Sequence, residues 1–213
     1  MKVVGFSGYY IDERTYIMCE KNEILMIDAV RNHDLDCFLE KLHPARISII
    51  LTHEHIDHIY GIHYYRERYH SEVLCSQICG ERIKDSRTNL ARYQEVILGD
   101  IENDTGEKSI DFDYSCKEDM SFKNQLEWNW NGHKLFLFET PGHSPGSICI
   151  VMDNNILFTG DTLLKKDKII TRLPGGSKKE YLEKTLPFLQ SISKDVLVYP
   201  GHGESGIMRE FDF

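Results

Sequence analysis

Four apolar stretches of this chain run into short turns that each carry a metal-competent side chain. Ile47–Leu51 leads to Thr52-His53-Glu54-His55-Ile56-Asp57-His58, and Phe136–Phe138 to Thr140-Pro141-Gly142-His143-Ser144-Pro145-Gly146-Ser147. Ile156–Phe158 leads to Thr159-Gly160-Asp161-Thr162, and Val196–Tyr199 to Pro200-Gly201-His202-Gly203. Strand ends hold side chains rigidly, and glycine lets the backbone turn sharply towards a common point. A fold built on this pattern gathers the ends of strands that are far apart in sequence.

The donor chemistry is consistent across the set. Imidazole and carboxylate suit zinc and other borderline divalent ions, and no thiolate takes part. In an extended loop His53 and His55 project to one side and can share an ion. Asp57 and His58 are adjacent and diverge towards a second ion. Two sites then need one more histidine each and a carboxylate to bridge, and His143, His202 and Asp161 supply them. Two ions about 3.5–4 Å apart would hold a bridging water lowered towards neutrality, which is hydroxide at ordinary pH. A lone histidine is usually a surface or satisfied core residue, and His33, His43, His63, His70 and His133 are read that way.

The segments between these turns indicate two sheets with helices outside. Val3–Phe6, Thr15–Cys19 and Glu23–Asp28 read as strands, the last two joined at Lys21-Asn22. Asn131-Gly132, between Leu126–Trp130 and Lys134–Phe138, is a hairpin signal. Asp153-Asn154 marks another turn, between Ile148–Met152 and Asn155–Thr159. Asp34–Leu42 has helical spacing, with Pro44 just beyond its end. Residues 59–70 and 76–98 read as mostly helical, 99–120 as an irregular loop, and Ser177–Ser191 as a helix kinked at Pro187. With no repeat or linker, residues 1–213 are expected to form one domain.

Charge narrows the partners. The chain carries 34 acidic against 25 basic residues, a formal net charge of −9. Extended nucleic-acid or anionic-membrane binding needs the opposite sign, so a small-molecule substrate is expected, with no nucleic-acid or membrane partner. The opening MKVVGFSGYYIDE does not read as a signal peptide, and no apolar run approaches the ~20 residues of a membrane span. A cytoplasmic location follows as the expectation, and the six cysteines are expected to be reduced. Cys75 and Cys79, four apart, have a spacing that places both on one helix face. They are read as packing residues rather than ligands. Nothing in the sequence fixes an oligomeric state.

His53-x-His55-x-Asp57-His58, Gly-His143, Gly-Asp161 and Gly-His202 together resemble the metal motifs of the metallo-β-lactamase superfamily. The resemblance runs from the Glu23–Asp28 strand onward. It implies an α+β fold, a four-layer αββα sandwich with metals at the sheet edges. It also implies His53, His55 and His143 on one ion, Asp57, His58 and His202 on the other, and Asp161 between them. Thr140-Pro-Gly-His143-Ser-Pro-Gly-Ser147, Phe158-Thr-Gly-Asp161-Thr162 and Leu173-Pro-Gly-Gly-Ser177 are most similar to glyoxalase II and its shorter relatives. Two departures stand out. Glyoxalase II proper adds a C-terminal helical domain that contacts glutathione, whereas eleven residues, Gly203 to Phe213, follow His202 here. Short relatives commonly carry Gly-Arg-Thr-Asp where this chain has Ile169-Ile170-Thr171-Arg172, so Arg172 stands in place of an acid.

The expected activity is hydrolysis of a small thioester, ester or lactone, of the hydroxyacylglutathione hydrolase kind. A metal-bridging hydroxide is the nucleophile, and Asp57 orients it or takes its proton. The cofactor is two divalent ions, zinc first and iron or manganese as alternatives. Two other functions remain open on the sequence. One is a mononuclear iron persulfide dioxygenase-like oxidoreductase. The other is a non-catalytic metal-binding module.

Overall fold

The structure is a computed structural model and describes residues 1–95, 110–166 and 168–212. Two six-stranded sheets face each other. The first comprises β1 (Val4–Ser7), β2 (Arg14–Glu20), β3 (Glu23–Ile27), β4 (Arg46–Ile50), β5 (Ser71–Ser76) and β6 (Met120–Phe122), in that spatial order. The second runs β12-β11-β10-β9-β8-β7. Its strands are β7 (Gln125–Trp130), β8 (His133–Glu139), β9 (Ile148–Met152), β10 (Ile156–Gly160), β11 (Leu197–Pro200) and β12 (Gly206–Ile207).

Tight turns close three of the antiparallel pairs, β2–β3, β7–β8 and β9–β10. Lys21-Asn22, Asn131-Gly132 and Asp153-Asn154 all take positive φ at both positions. That is the mirror-image turn whose twist matches paired strands, and Asn, Asp and Gly tolerate it best. Pairs β1–β2, β8–β9 and β11–β12 are also antiparallel, and β3–β4, β4–β5, β5–β6 and β10–β11 are parallel. Parallel neighbours need long crossovers. Helices supply several: α1 (His33–Leu42), α2 (Ile56–Ile59), α3 (Ile62–Arg68), α4 (Gln77–Arg82) and α5 (178–191). Asn32 starts α1 by accepting the Leu35 amide at 2.8 Å.

Three apolar layers hold the sandwich together. Leu25, Ile27 and Ile50 from the first sheet meet Leu135, Ile150 and Phe158 from the second. On the outer face of the first sheet, Ile17, Met26 and Ile49 pack against Leu35, Leu39, Ile62 and Tyr65 of the helices. On the outer face of the second, Leu157 and Val198 pack against Tyr181 and Leu189 of α5. The order is helix, sheet, sheet, helix, as the sequence led us to expect.

Several local expectations need correction. Among the described residues, the stretch 76–98 is helical through α4, a short turn at Ala91–Tyr93 and residues 94–95, with 83–90 in turns, and its last three residues lie outside those described. Residues 99–109 of the expected loop also lie outside them, and 120–122 form strand β6. Cys75 and Cys79 do not share a helix, because Cys75 ends up in β5 and Cys79 in α4; both are buried free thiols. Where the sequence predicts a kink at Pro187, α5 carries a wide π-turn at Tyr181–Thr185, just before that proline. Proline has no N–H to close the ordinary helical turn, and the widened turn accommodates that loss.

Candidate metal centre

All seven predicted donors converge at one edge of the sandwich, in two adjoining clusters. His53, His55 and His143 form one, and Asp57, His58, Asp161 and His202 the other; within each, the candidate ligand atoms lie within 4.8 Å of one another. The backbone enforces this. The loop after β4 carries His53 and His55, α2 carries Asp57 and His58, and β10 delivers Asp161 immediately after a register shift between Phe158 and Gly160. Such an irregularity re-aims the next side chain. Gly201 permits the closest approach: a Cβ there would sit 2.3 Å from Asp161 Oδ1.

Outer partners set which ring nitrogen faces inward. The His58 Nδ1–H donates to Asp28 Oδ2 at 2.9 Å, His143 Nδ1 to the Ile170 carbonyl at 2.9 Å, and His202 Nδ1 to the Ile11 carbonyl at 3.1 Å. His53 Nδ1 lies 3.1 Å from Thr52 Oγ1. Four rings therefore turn Nε2 towards the cluster, the arrangement that metal-binding histidines adopt. His55 differs, with Nδ1 3.0 Å from His143 Nε2.

Asp28 and Glu13 are the braces that sequence reasoning missed. Asp28 directly follows β3, accepts the Thr52 amide and hydroxyl at 2.7 Å each, and holds His58. Its signal was present: a carboxylate at the end of an apolar strand, the rule that found Asp161. Glu13 is fully buried and accepts the amides of Tyr10 (3.2 Å) and Ile11 (2.8 Å) and the Tyr60 hydroxyl (3.0 Å). That fixes the loop whose Ile11 carbonyl holds His202. Arg172 is exposed, and His33, His43, His63, His70 and His133 belong to neither cluster.

The clusters differ electrically. Burial, reinforced by neighbouring histidines, holds His53 well below its ordinary value and His55 at about 3, so both are neutral. Burial also opposes charge on His58 and His202, but there carboxylates prevail. Asp57, Asp28 and Asp161 lift His58 well above its usual range, and Asp161 with Asp57 lifts His202 to about 11. Against the pull of burial, His58 and His202 hold Asp57 down at about 2, and the same pair keeps Asp161 well below the carboxylate range.

These residues fit divalent ions. His53 Nε2 and Asp161 Oδ1, which face the clusters, are buried without a hydrogen-bond partner. Each such atom costs about 1–3 kcal/mol unless something pairs with it. A site whose carboxylates favour imidazolium also favours a cation in its place.

Comparison with known proteins agrees with this geometry. The sequence model described as the metallo-beta-lactamase superfamily matches residues 13–202. A Streptococcus pyogenes protein named "Probable metallo-hydrolase" is 25% identical over 211 residues, covering 96% of this chain and 85% of that one. Among solved structures, the BLEG-1 B3 metallo-beta-lactamase superposes with a TM-score of 0.80 at 22% identity, covering 98% of this chain and 95% of that one. The protein TTHA1623, solved in a di-iron-bound form, superposes with a TM-score of 0.76 at 19% identity over 98% and 96%. With the fold, the clustered donors and the sequence match in agreement, this chain belongs to the metallo-β-lactamase superfamily.

Proposed function

We propose that the chain is a dinuclear metal-dependent hydrolase of a small thioester, ester or lactone. The observation that carries this reading is the placement of Asp161 between the clusters. Its Oδ2 lies 3.5 Å from His143 Nε2 and 3.4 Å from His202 Nε2, and its Oδ1 lies 3.4 Å from His58 Nε2. We assign His53, His55 and His143 to one divalent ion, Asp57, His58 and His202 to the other, and Asp161 to both. When bound, two such ions polarise a carbonyl oxygen and bring a water to hydroxide near neutral pH.

The chain's own groups do the positioning. Asp57 Oδ2 lies 3.3 Å from His202 Nε2 and 3.4 Å from His58 Nε2, and those neighbours hold it ionised. It is the group we assign to orient the attacking water or take its proton. Asp161 and His202 are partly exposed, whereas the other five donors are buried, so substrate approaches from their side. Nitrogen and oxygen donors without thiolate suit zinc, with iron and manganese compatible. No described helix is long and apolar enough to cross a membrane.

The test is elemental analysis of protein purified without added metal, then a panel of thioesters, lactones and β-lactams with oxygen uptake monitored. We expect about two ions per chain at saturation and hydrolysis without oxygen consumption. A single saturating ion with oxygen uptake would move the chain to the persulfide dioxygenase-like reading. Undetectable turnover with every metal would make it a binding module.

A further inference from the structure

Glu54 stands between His53 and His55 in sequence, yet its carboxylate engages different partners. It is fully buried, and Arg82 Nε donates to its Oε1 at 2.5 Å while Ser144 Oγ donates to its Oε2 at 2.8 Å. Arg82 extends from the end of α4, and its Nη2 also donates to the carbonyls of Thr88 at 3.2 Å and Pro174 at 3.1 Å. The surroundings leave no slack. A Cβ on Gly146 would come 2.4 Å from Glu54 Oε2, and one on Gly175 would come 2.7 Å from Arg82 Nη2.

The pair's bonds lead to segments that carry or hold the three-histidine cluster. Glu54 lies between two of those histidines, and Ser144 follows the third. Pro174 belongs to the turn after Ile170, whose carbonyl holds His143 Nδ1 at 2.9 Å. That turn is fastened again where the Ser177 amide donates to the Gly142 carbonyl at 2.8 Å. One guanidinium thus joins α4, the His53–His55 loop and the loop that orients His143. Taking Glu54 fully and Arg82 largely out of water is a poor choice for stability alone, since an apolar pair of similar volume often does as well or better. What the planar guanidinium adds is direction, with several donors in a fixed fork.

We propose that Glu54 and Arg82 are a positioning pair for the ion held by His53, His55 and His143, setting its affinity and geometry without touching it. The proposal rests on the metal assignment above. The two can fail separately.

The experiment uses His202→Ala protein, in which the three-histidine cluster is the intact site, alongside the wild type. Each is titrated with Co(II) and Zn(II) against a chromophoric chelator, and the cobalt absorption spectrum is recorded. Adding the double change Glu54→Gln/Arg82→Gln removes both charges, so neither is buried alone. We expect a loss of roughly 10–100-fold in affinity at the three-histidine site, the range for outer partners of ligating histidines, and an altered cobalt spectrum. In the wild-type background the other ion should hold to within about twofold, well inside the tenfold that marks lost outer support. Arg82→Lys keeps a charge beside Glu54 but cannot also span to Pro174, and should recover only part of the loss. Ser144→Ala removes the hydrogen bond to Glu54 together with the one shared with Ser147 Oγ, keeps the Glu54–Arg82 pair, and should cost a few-fold, providing a milder variant if the double change does not fold. Wild-type affinity and spectrum in a folded variant would overturn the proposal, as would equal weakening of both ions. Failure of His202→Ala protein itself to bind either metal would instead refute the metal assignment, and the positioning role with it.

Discussion

The two clusters of the candidate metal centre, its two halves, are built on opposite electrostatics. In the three-histidine half, burial has already removed the protons from His53 and His55, and no carboxylate belongs to the cluster. In the other half, Asp57 and Asp161 hold His58 and His202 protonated against burial. One half presents free lone pairs, whereas the other would have to give up protons to take an ion. Their supports differ as well. Carbonyl Ile170 and the Glu54–Arg82 pair brace the first; Asp28 and the Glu13 loop brace the second. The halves meet at Asp161, which faces both.

The largest effect should come from removing that meeting point. Asp161→Ala is expected to weaken both ions and cut hydrolysis roughly a thousandfold, about 4 kcal/mol of transition-state stabilisation. Asp57→Ala should weaken only the ion of its own cluster. Metal counts on the two purified variants check this, and equal loss in both would mean that the division into halves is wrong.

Next in size is the Glu13 brace. Glu13→Gln keeps the shape but replaces a full acceptor set with an amide, and Tyr60→Phe removes the hydroxyl that donates to it. Each should weaken the His202-side ion by roughly 10–100-fold and leave the three-histidine ion unchanged. Chelator competition resolves the two steps. Weakening of the three-histidine ion instead would break the comparison at its base.

Proton counting sharpens the electrostatic contrast. Ligands must be deprotonated to bind a metal. His202, held up to about 11, and His58, well above its ordinary value, must therefore release protons as an ion enters at neutral pH. Each proton displaced makes affinity rise about tenfold per pH unit, so the second ion should bind more tightly as pH increases and leave first on acidification. His53 and His55 release none at neutral pH, because both already lie below it unprotonated. Calorimetry in buffers of different ionisation enthalpy measures the release at each step. Equal proton counts for the two ions would remove the contrast.

Sequence patterning made the donors legible because each follows an apolar strand through a turn of small residues. That local grammar survives in the fold: β4, β8, β10 and β11 lead to them. It was weaker where elements are short or half-exposed. Strand β6 has three residues, too few for a period-two signal, and β5 begins with the partly exposed Ser71-Glu72 between two helices. Glu13 shows the deeper limit. Next to it, Asp12 is exposed and Glu13 is buried, a difference set by Tyr60, 47 residues away, and by a bridge to His202. No local pattern encodes contacts of that range. Arg82 is likewise an ordinary helix-end arginine until the fold brings Glu54 and Pro174 to it.

The smallest predicted effect tests whether the halves are separable at all. Asp28 holds His58 directly, and through Thr52 it also reaches His53 in the other half. Thr52 Oγ1 donates its single proton to Asp28 Oδ2 at 2.7 Å, so the same oxygen accepts from His53 Nδ1 at 3.1 Å. That acceptance keeps the His53 Nε2 lone pair facing the cluster. Thr52→Val preserves volume but removes the hydroxyl, while Asp28 keeps the His58 bond at 2.9 Å. The lost hydrogen bond is worth about 1 kcal/mol. The three-histidine ion should therefore weaken about fivefold, the other should stay within about twofold, and Thr52→Ser should restore both, on the same ~1 kcal/mol scale. If the His58-side ion weakens as much as its neighbour, Asp28 acts as one brace for both ions. The contrast drawn here would then describe the charges alone and not the mechanics of the site.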